Sequence, residues 1–159
     1  MKNTFGNNLK ITLFGESYGP AVGCVIDGLA PGIKIDMDHV ELCLSQRAAH
    51  SGISTPRREA DRIEFLSGVK DLTTEGTPIC IIIKNTSQVS SAYSDLEYTP
   101  RPSHADITAE YKYHGFQDSR GGGHFSGRIT AALVAAGAIC KSALEQKGIY
   151  IGTHIKKCA

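Results

Sequence analysis

The stretch of residues 101–128 (RPSHADITAEYKYHGFQDSRGGGHFSGR) concentrates side chains that bind anions and move protons. Its arginines and the run Gly121-Gly122-Gly123 stand just before an apolar helical pattern that begins at Ile129. Backbone N–H groups at a helix start and guanidinium groups both suit the charge and geometry of phosphate. The stretch therefore predicts a site for a phosphorylated ligand, with His104 placed to transfer a proton. The alternative is a flexible turn followed by a solvated helix start.

A second polar cluster, Gly15-Glu16-Ser17-Tyr18-Gly19-Pro20, lies between two apolar runs. Residues 9–14 and 21–26 favour strands, and the short glycine-bounded gap between them predicts a β-hairpin. The polar tip of this hairpin is either ordinary turn chemistry or a loop that faces a ligand.

A helix and an arginine-bearing loop should follow the hairpin. Asp36 is the expected N-cap of a helix that carries Arg47 near its end. Residues 48–56 then predict a long loop. Arg57 and Arg58 follow it, and they are either solvated or close over an anion.

Three further segments predict strands. Residues 63–66 are strand-like, and residues 77–84 are continuous enough in apolar character to form a buried central strand. Residues 149–155 alternate, which is typical of a half-buried strand. Residues 85–102 have no clear period and predict a surface connection.

Two helices should position the 101–128 stretch. The motif Ser103-x-x-Asp106 has the form of a capping box that opens a helix through about Tyr113, with His104 at its first position. Residues 129–147 are the strongest helical segment because they are rich in alanine. Gly148 should end that helix.

The composition, with 41% hydrophobic and 21% charged residues, is that of one soluble domain over residues 1–159. A formal net charge of +1 provides no general field for nucleic acid. Five isolated cysteines favour reduced thiols in a cytoplasmic protein, and no histidine pair has metal-site spacing, so we expect no metal. We expect no signal peptide and no membrane association, because the longest apolar run is far too short to span a bilayer.

Motifs spread over the whole chain resemble those of the chorismate synthase family in order and approximate spacing. The resemblance covers about the first half of the family's usual length. It implies an α+β fold of the β-α-β sandwich type, of which this chain holds about half, assembled as a homo-oligomer, usually a tetramer. The matching motifs are Gly15-Glu16-Ser17-Tyr18-Gly19, Asp27-Gly28, Thr55-Pro56-Arg57-Arg58-Glu59, Leu66-Ser67-Gly68, Gly76-Thr77-Pro78, Arg101-Pro102-Ser103-His104-Ala105-Asp106, Arg120-Gly121-Gly122-Gly123 and Val134-Ala135-Ala136-Gly137-Ala138.

The resemblance implies the last step of the shikimate pathway. In this step 5-enolpyruvylshikimate-3-phosphate loses its phosphate and a ring hydrogen by 1,4-elimination to give chorismate. Reduced FMN is required, and NADPH is a candidate reductant. By match to the family's motifs, His104 is the proton donor or relay. The residues implied to hold the anionic substrate are Ser17, Arg47, Arg101 and Arg128, and those implied to contact the flavin are His124, Phe125 and Ser126.

The chain departs from the family pattern at a position assigned an acid role. The family reads Gly-Glu-Ser-His-Gly where this chain has Tyr18, and a phenol is a weak acid at neutral pH. The alternatives are therefore a non-catalytic remnant that keeps partial flavin or phosphate binding or assembly, and a phosphate-binding protein unrelated to flavin. We expect the 159 residues alone to bind FMN weakly and to form no chorismate, because the resemblance implies further flavin contacts and another substrate arginine in the half of the family's length that this chain lacks. We also expect self-association, because the strand at 149–155 needs a neighbouring sheet.

Overall fold

A five-stranded antiparallel sheet is the centre of the fold in this computed structural model, which describes residues 2–49, 59–86 and 99–157. Its strand order is β1-β2-β3-β7-β4, and β5 and β6 form a separate two-stranded ribbon. The strands are β1 (Thr4–Phe5), β2 (Lys10–Gly15), β3 (Ala21–Asp27), β4 (Ile63–Ser67), β5 (Val69–Lys70), β6 (Thr73–Thr74) and β7 (Ile79–Lys84).

Three α-helices accompany the sheet: α1 (Met37–Arg47), α2 (Asp106–Tyr113) and α3 (Thr130–Glu145). Two 3₁₀ segments, Arg120–Phe125 and Gly127–Ile129, lie between α2 and α3. Helix α3 packs against α1 and against strands β3 and β7. The small side chains of α3 permit this close approach, and its buried alanines are Ala131, Ala132, Ala135, Ala136 and Ala138.

Alternate residues of β3 and β7 fill the core, because successive side chains of a strand point to opposite faces of the sheet. The fully buried set from these two strands is Val22, Cys24, Ile26, Ile79, Ile81 and Ile83. Burial raises the pKa of the Cys24 thiol to about 12, which keeps it protonated at neutral pH. The mixed sheet-and-helix architecture confirms the expected α+β class.

Several predicted elements are confirmed with small changes at their ends. Strands β2 and β3 pair as the predicted antiparallel hairpin, and β7 lies inside the sheet between β3 and β4. Asp36 caps α1 by accepting a hydrogen bond from the His39 N–H at 3.0 Å. Gly148 ends the helical region with a φ of 73°. Arg57 and Arg58, predicted in the loop after α1, lie outside the described residues, as does most of the predicted surface connection at 85–102.

The predicted strand at residues 149–155 is wrong. This segment has no regular structure, and Ile149, Tyr150 and Ile155 are exposed. A strand needs a neighbour for its backbone hydrogen bonds, and the described part of the chain offers this segment none. Alternation alone is therefore not sufficient to make this segment a strand.

The predicted capping box at Ser103 is also wrong. Helix α2 begins at Asp106 with Ala105 as its N-cap, and no side chain caps it. His104 consequently precedes the helix. The Asp106 carboxylate is withdrawn from backbone capping because it binds two side chains of the candidate site.

Helix α3 with the turn before it, Gly127–Glu145, is the one described segment long and apolar enough to cross a membrane. Half of its apolar window is buried inside the fold, as expected for the core helix of a folded domain.

Candidate functional site

Arg101, His104 and Asp106 form one hydrogen-bonded cluster at the start of α2. The Arg101 backbone N–H and Nε each donate to Asp106 Oδ2 at 2.9 Å, and Nη2 donates to Oδ1 at 3.0 Å. His104 Nδ1 lies 2.5 Å from the same Oδ1. Ser103, with a left-handed φ of 61°, turns the chain between the arginine and the histidine. The structure thus joins the predicted proton-transfer residue to a predicted anion-binding residue.

The charge of Asp106 is fixed by its neighbours. The hydrogen bonds from Arg101 hold the pKa of the Asp106 carboxyl well below its usual range, and His104 lowers that pKa further. Asp106 is therefore ionised at neutral pH. An ionised carboxylate accepts a hydrogen bond from Nδ1–H and so fixes the tautomer of His104, whose Nε2 lies 3.2 Å from Arg101 Nη2.

This cluster should make the free energy of unfolding depend on pH in the acidic range. The pKa of Asp106 is lower in the folded state than in the unfolded state. Its contribution to the free energy of unfolding is therefore full above the unfolded pKa of about 3.9 and is lost as pH falls toward the lower folded pKa. We expect the stability difference between the wild type and Asp106→Asn to be constant above about pH 5 and to shrink below about pH 4. Urea melts across this range measure it, and an undiminished difference at about pH 3 would contradict it.

The glycine run packs directly against two predicted catalytic side chains. Its φ angles of 59°, 84° and 52° are left-handed at Gly121, Gly122 and Gly123. A Cβ on Gly121 would lie 2.3 Å from the Tyr18 ring, and a Cβ on Gly122 would lie 2.8 Å from His104 Cε1. Only glycine leaves room for both rings, so Tyr18 and His104 are seated on successive residues.

The same run precedes α3, as the sequence predicts, but its backbone does not form the first turn of that helix. The Gly122 N–H donates to the Ser119 carbonyl at 3.1 Å and so is not presented to a ligand. Ser126 Oγ then accepts from the Arg128 N–H at 3.2 Å and begins the turn that leads into α3. The glycines provide space for side chains, and three consecutive left-handed residues are incompatible with a helix start.

The hairpin tip docks onto the glycine run. The Ser17 N–H donates to the Gly123 carbonyl at 3.0 Å, and His124 Nδ1 lies 2.9 Å from the Gly15 carbonyl. Ser17 and Tyr18 are both buried, with 2% and 8% of their surface exposed. The loop from β2 to β3 therefore packs against the glycine run, and whether its polar residues face a ligand stays a prediction.

Arg128 and Arg47 meet at a different place, on a buried pair of carboxylates. Arg47 Nε and Nη2 donate to Asp61 Oδ2 at 3.1 and 2.5 Å, and Arg128 Nη1 donates to Asp61 Oδ1. Arg128 Nε also lies 2.8 Å from Glu59 Oε2. The Arg128, Glu59 and Asp61 side chains are 5%, 3% and 3% exposed. We call Arg47, Glu59, Asp61 and Arg128 the buried ion cluster.

The predicted substrate arginines are thus divided between two clusters. Arg101 lies with His104, while Arg47 and Arg128 lie in the buried ion cluster. In both clusters the guanidinium groups contact carboxylates, an amide, a hydroxyl, a carbonyl and the His104 ring. The assignment of all three arginines to one substrate stays a prediction.

The three predicted flavin-contacting residues each have a partner within the fold. His124 faces the Gly15 carbonyl, the Phe125 ring packs edge-on against Tyr113 at 5.8 Å, and Ser126 caps the following turn. A cavity of about 60 Å³ lies beside Phe125. Pockets for ligands of this class are usually about 300–1,000 Å³, so the described residues do not by themselves enclose a flavin.

A larger cavity of about 580 Å³ lies between α1 and residues 59–63. Its lining residues include Glu41, Glu59, Asp61 and Arg62. Within residues 2–49, 59–86 and 99–157, no group of three or more His, Cys, Asp or Glu side chains is placed to hold a metal ion.

The sequence does not predict a role in either cluster for four residues that contact the predicted site residues: Glu59, Asp61, Asn85 and Asp106. The sequence predicts Asp106 as part of a capping box. Its position two residues after His104 also allows a histidine–carboxylate pair, which is the arrangement in the structure. Glu59 and Asp61 are two residues apart, a spacing that puts both side chains on the same face of an extended segment. No local pattern points to Asn85, because its partners lie far away in the chain.

Comparison with known proteins shows the family to which this chain is similar in sequence and in fold. The sequence model of chorismate synthase matches residues 9–159. A chorismate synthase of Aeropyrum pernix is 44% identical over 155 residues, which are 98% of this chain and 41% of that protein. One of Pyrobaculum aerophilum is 48% identical over 154 residues, covering 96% of this chain and 42% of the relative.

A solved structure agrees. A crystal structure of chorismate synthase matches 91% of this chain and 36% of its own chain, with 26% identity and a TM-score of 0.58. This chain spans about two-fifths of the length of the curated relatives it matches. Sequence and fold agree over nearly all of its residues, and the protein belongs to the chorismate synthase family.

Proposed function

We propose that this chain contributes to the chorismate synthase reaction, the 1,4-elimination of phosphate from 5-enolpyruvylshikimate-3-phosphate. The observation that carries the proposal is the seating of Tyr18 and His104 on successive glycines, with Arg101 beside the histidine. Two groups able to exchange protons and a fixed cation thus lie at one place. Family membership supplies the identity of the substrate.

The Arg101–His104–Asp106 cluster suits the departure of phosphate. Negative charge grows on the phosphate oxygens as the bond to the ring breaks, and preorganised cations and hydrogen-bond donors lower that barrier. Asp106 holds Nδ1 of His104, so Nε2, which lies 3.2 Å from Arg101 Nη2, is the nitrogen that exchanges a proton with the substrate in this proposal. Arg101 is held rigidly by three bonds to Asp106, so its charge needs no reorientation during the reaction.

The remaining assigned residues have supporting roles in this proposal. The backbone N–H of Ser17 fixes the hairpin tip by its hydrogen bond to the Gly123 carbonyl. The Ser17 hydroxyl lies beside Gly121, next to the Tyr18 ring. Arg47 and Arg128 bind substrate by exchanging part of their contact with Asp61 for the substrate's anionic groups. The carboxylates hold both guanidinium groups in place until then.

FMN is implied by the family, and its reduced form supplies electron density to the substrate when bound. The contacts of His124, Phe125 and Ser126 are filled by protein groups, and the adjoining cavity is too small for a flavin. The described residues therefore do not form the flavin site alone, and we assign no proton or electron step to the cofactor. On family grounds alone, we propose a cytoplasmic homotetramer, with NADPH as a candidate reductant.

A non-catalytic module that keeps anion binding or assembly is the second candidate. The engagement of Arg47, Arg101 and Arg128 by carboxylates favours it, since each would have to be released to bind phosphate. Calorimetric titration with 5-enolpyruvylshikimate-3-phosphate, with inorganic phosphate as the control, tests the main proposal on this chain. We expect the substrate to bind at least about tenfold more tightly than inorganic phosphate, because it offers additional charged contacts. Equal affinities would contradict substrate recognition.

Turnover needs a chain of the family's usual length, and a chimera provides one. In it, this chain replaces the matching 155 residues of the Aeropyrum pernix relative. The parent relative serves as the positive control. Every variant below that is assayed for turnover is placed in this chimera.

Tyr18→His should raise turnover in the chimera. The imidazolium is a better acid at neutral pH than the phenol, so restoring the family's residue should increase the rate by about tenfold or more. The ring must still fit over Gly121, and imidazole is the smaller ring. Steady-state assays compare it with Tyr18→Phe, which keeps the ring and removes the hydroxyl. A lower rate for Tyr18→His would show that the phenol is the working group.

A further inference from the structure

Asn85 stands where the sheet meets the site. It follows the last residue of β7, and its backbone N–H donates to the Pro20 carbonyl at 3.0 Å. This bond continues the β3–β7 ladder one step beyond the Ala21–Lys84 pair. Asn85 is therefore fixed by the core of the sheet at the point where the hairpin tip begins.

The side-chain amide of Asn85 connects two parts of the site. Its Nδ2 donates to the Glu16 carbonyl at 3.0 Å and to the Gly19 carbonyl at 2.7 Å, which are the two ends of the tip. Its Oδ1 accepts from Arg128 Nε at 2.8 Å. The opposite amide orientation would place an oxygen against two carbonyls, so these partners leave one orientation.

We propose that Asn85 is a positioning residue that holds the hairpin tip, with Ser17 and Tyr18, against the glycine run and couples it to Arg128. Its catalytic consequence rests on the proposed function, but its mechanical role does not. Clamping both ends of the tip restricts the Tyr18 ring to its seat on Gly121. Arg128, fixed by Glu59 and Asp61, is the rigid anchor for this clamp.

Only asparagine satisfies these contacts. An aspartate accepts from Arg128 but cannot donate to the two carbonyls, and a glutamine places its amide one methylene further along. Asn85→Asp therefore removes the clamp on the tip and keeps the contact to the ion cluster. Asn85→Ala removes both connections. The two variants separate the positioning role from a general effect on folding.

Amide hydrogen exchange of the 159-residue chain, without ligand, tests the clamp. In Asn85→Asp, we expect the Ser17 and Gly19 amides to exchange about tenfold faster, as for losing one or two hydrogen bonds. Amides of β3 should keep their wild-type rates. Gln146→Ala is the matched control, because it removes a different side-chain donor, to the Lys34 carbonyl, far from the tip. Unchanged exchange at Ser17 and Gly19, or the same increase at every amide, would overturn the proposal.

The chimera links the clamp to turnover. We expect Asn85→Asp to lower kcat about tenfold or more with a smaller change in KM, because misplacing a positioned group costs rate more than binding. A wild-type kcat in Asn85→Asp would overturn the positioning role. An inactive chimera with the wild-type residue would instead contradict the proposed function, while the exchange result would still stand on its own.

Discussion

His104→Ala should lower chorismate formation by about 10²–10⁴, the usual contribution of a positioned proton donor. His104 lies beside Arg101, is held by Asp106, and rests on Gly122. Alanine removes the transferable proton and leaves the carboxylate bound to the arginine. The free energy of unfolding should change much less than the rate, because the ring is partly exposed and its loss opens no closed cavity.

Two companion variants make this result specific. His154→Ala removes an exposed histidine in the irregular segment after α3 and should leave the rate unchanged. Asp106→Asn keeps the histidine but removes the charge that orients it, so it should lower the rate and shift the pH profile of turnover. Turnover of His104→Ala equal to that of the unsubstituted chimera would remove His104 from the mechanism.

Arg128→Ala should destabilise the fold by about 3–5 kcal/mol, because it leaves buried carboxylates without their main cation. The Glu59 and Asp61 side chains are only 3% exposed in the intact cluster, so loss of the guanidinium leaves their charge poorly solvated. Arg47 is the remaining cation at Asp61, and the Asn85 oxygen also loses its donor. Urea melts of the 159-residue chain measure the loss.

An exposed arginine provides the matched control for Arg128. Arg120 pairs with Asp118 at 2.7 Å, but its side chain is 53% exposed. Such surface pairs contribute little to the free energy of unfolding because solvent screens them, so Arg120→Ala should be nearly silent. Combining Arg128→Met with Glu59→Gln should recover part of the stability, because Glu59 pairs with Arg128 and would otherwise keep an uncompensated charge. A loss below about 1 kcal/mol in Arg128→Ala would show that the cluster is hydrated and weak.

The sequence predicts the elements whose signals are local. The hairpin of β2 and β3, the capped helix α1 and the buried strand β7 follow from alternation, a cap residue and a continuous apolar run. These features depend on neighbours in the chain. The strand predicted at 149–155 fails for the opposite reason, because pairing depends on another segment that the alternation does not identify.

The candidate site divides in the same way. His104, Arg101 and the glycine run stand in one stretch of sequence, and their proximity could be expected. The pairing of Arg128 with Asp61 spans 67 residues and that with Asn85 spans 43, so no local pattern encodes either. Asp106 is wrongly predicted to cap a helix, because aspartate can either cap a helix or pair with a cation. The nearby Arg101 and His104 side chains determine that it pairs with a cation here.

Chorismate formation by the chimera, measured anaerobically with reduced FMN and 5-enolpyruvylshikimate-3-phosphate, tests the central claim most directly. The claim is that Tyr18, His104 and Arg101, seated at the glycine run, serve the chemistry of the family. Circular dichroism melts and flavin binding first establish that the chimera is folded and loaded, and the 159-residue chain of verified mass is assayed beside it. We predict sustained chorismate formation by the chimera and none by the 159 residues alone. A folded, flavin-loaded chimera that forms no chorismate while the parent relative turns over would contradict the account.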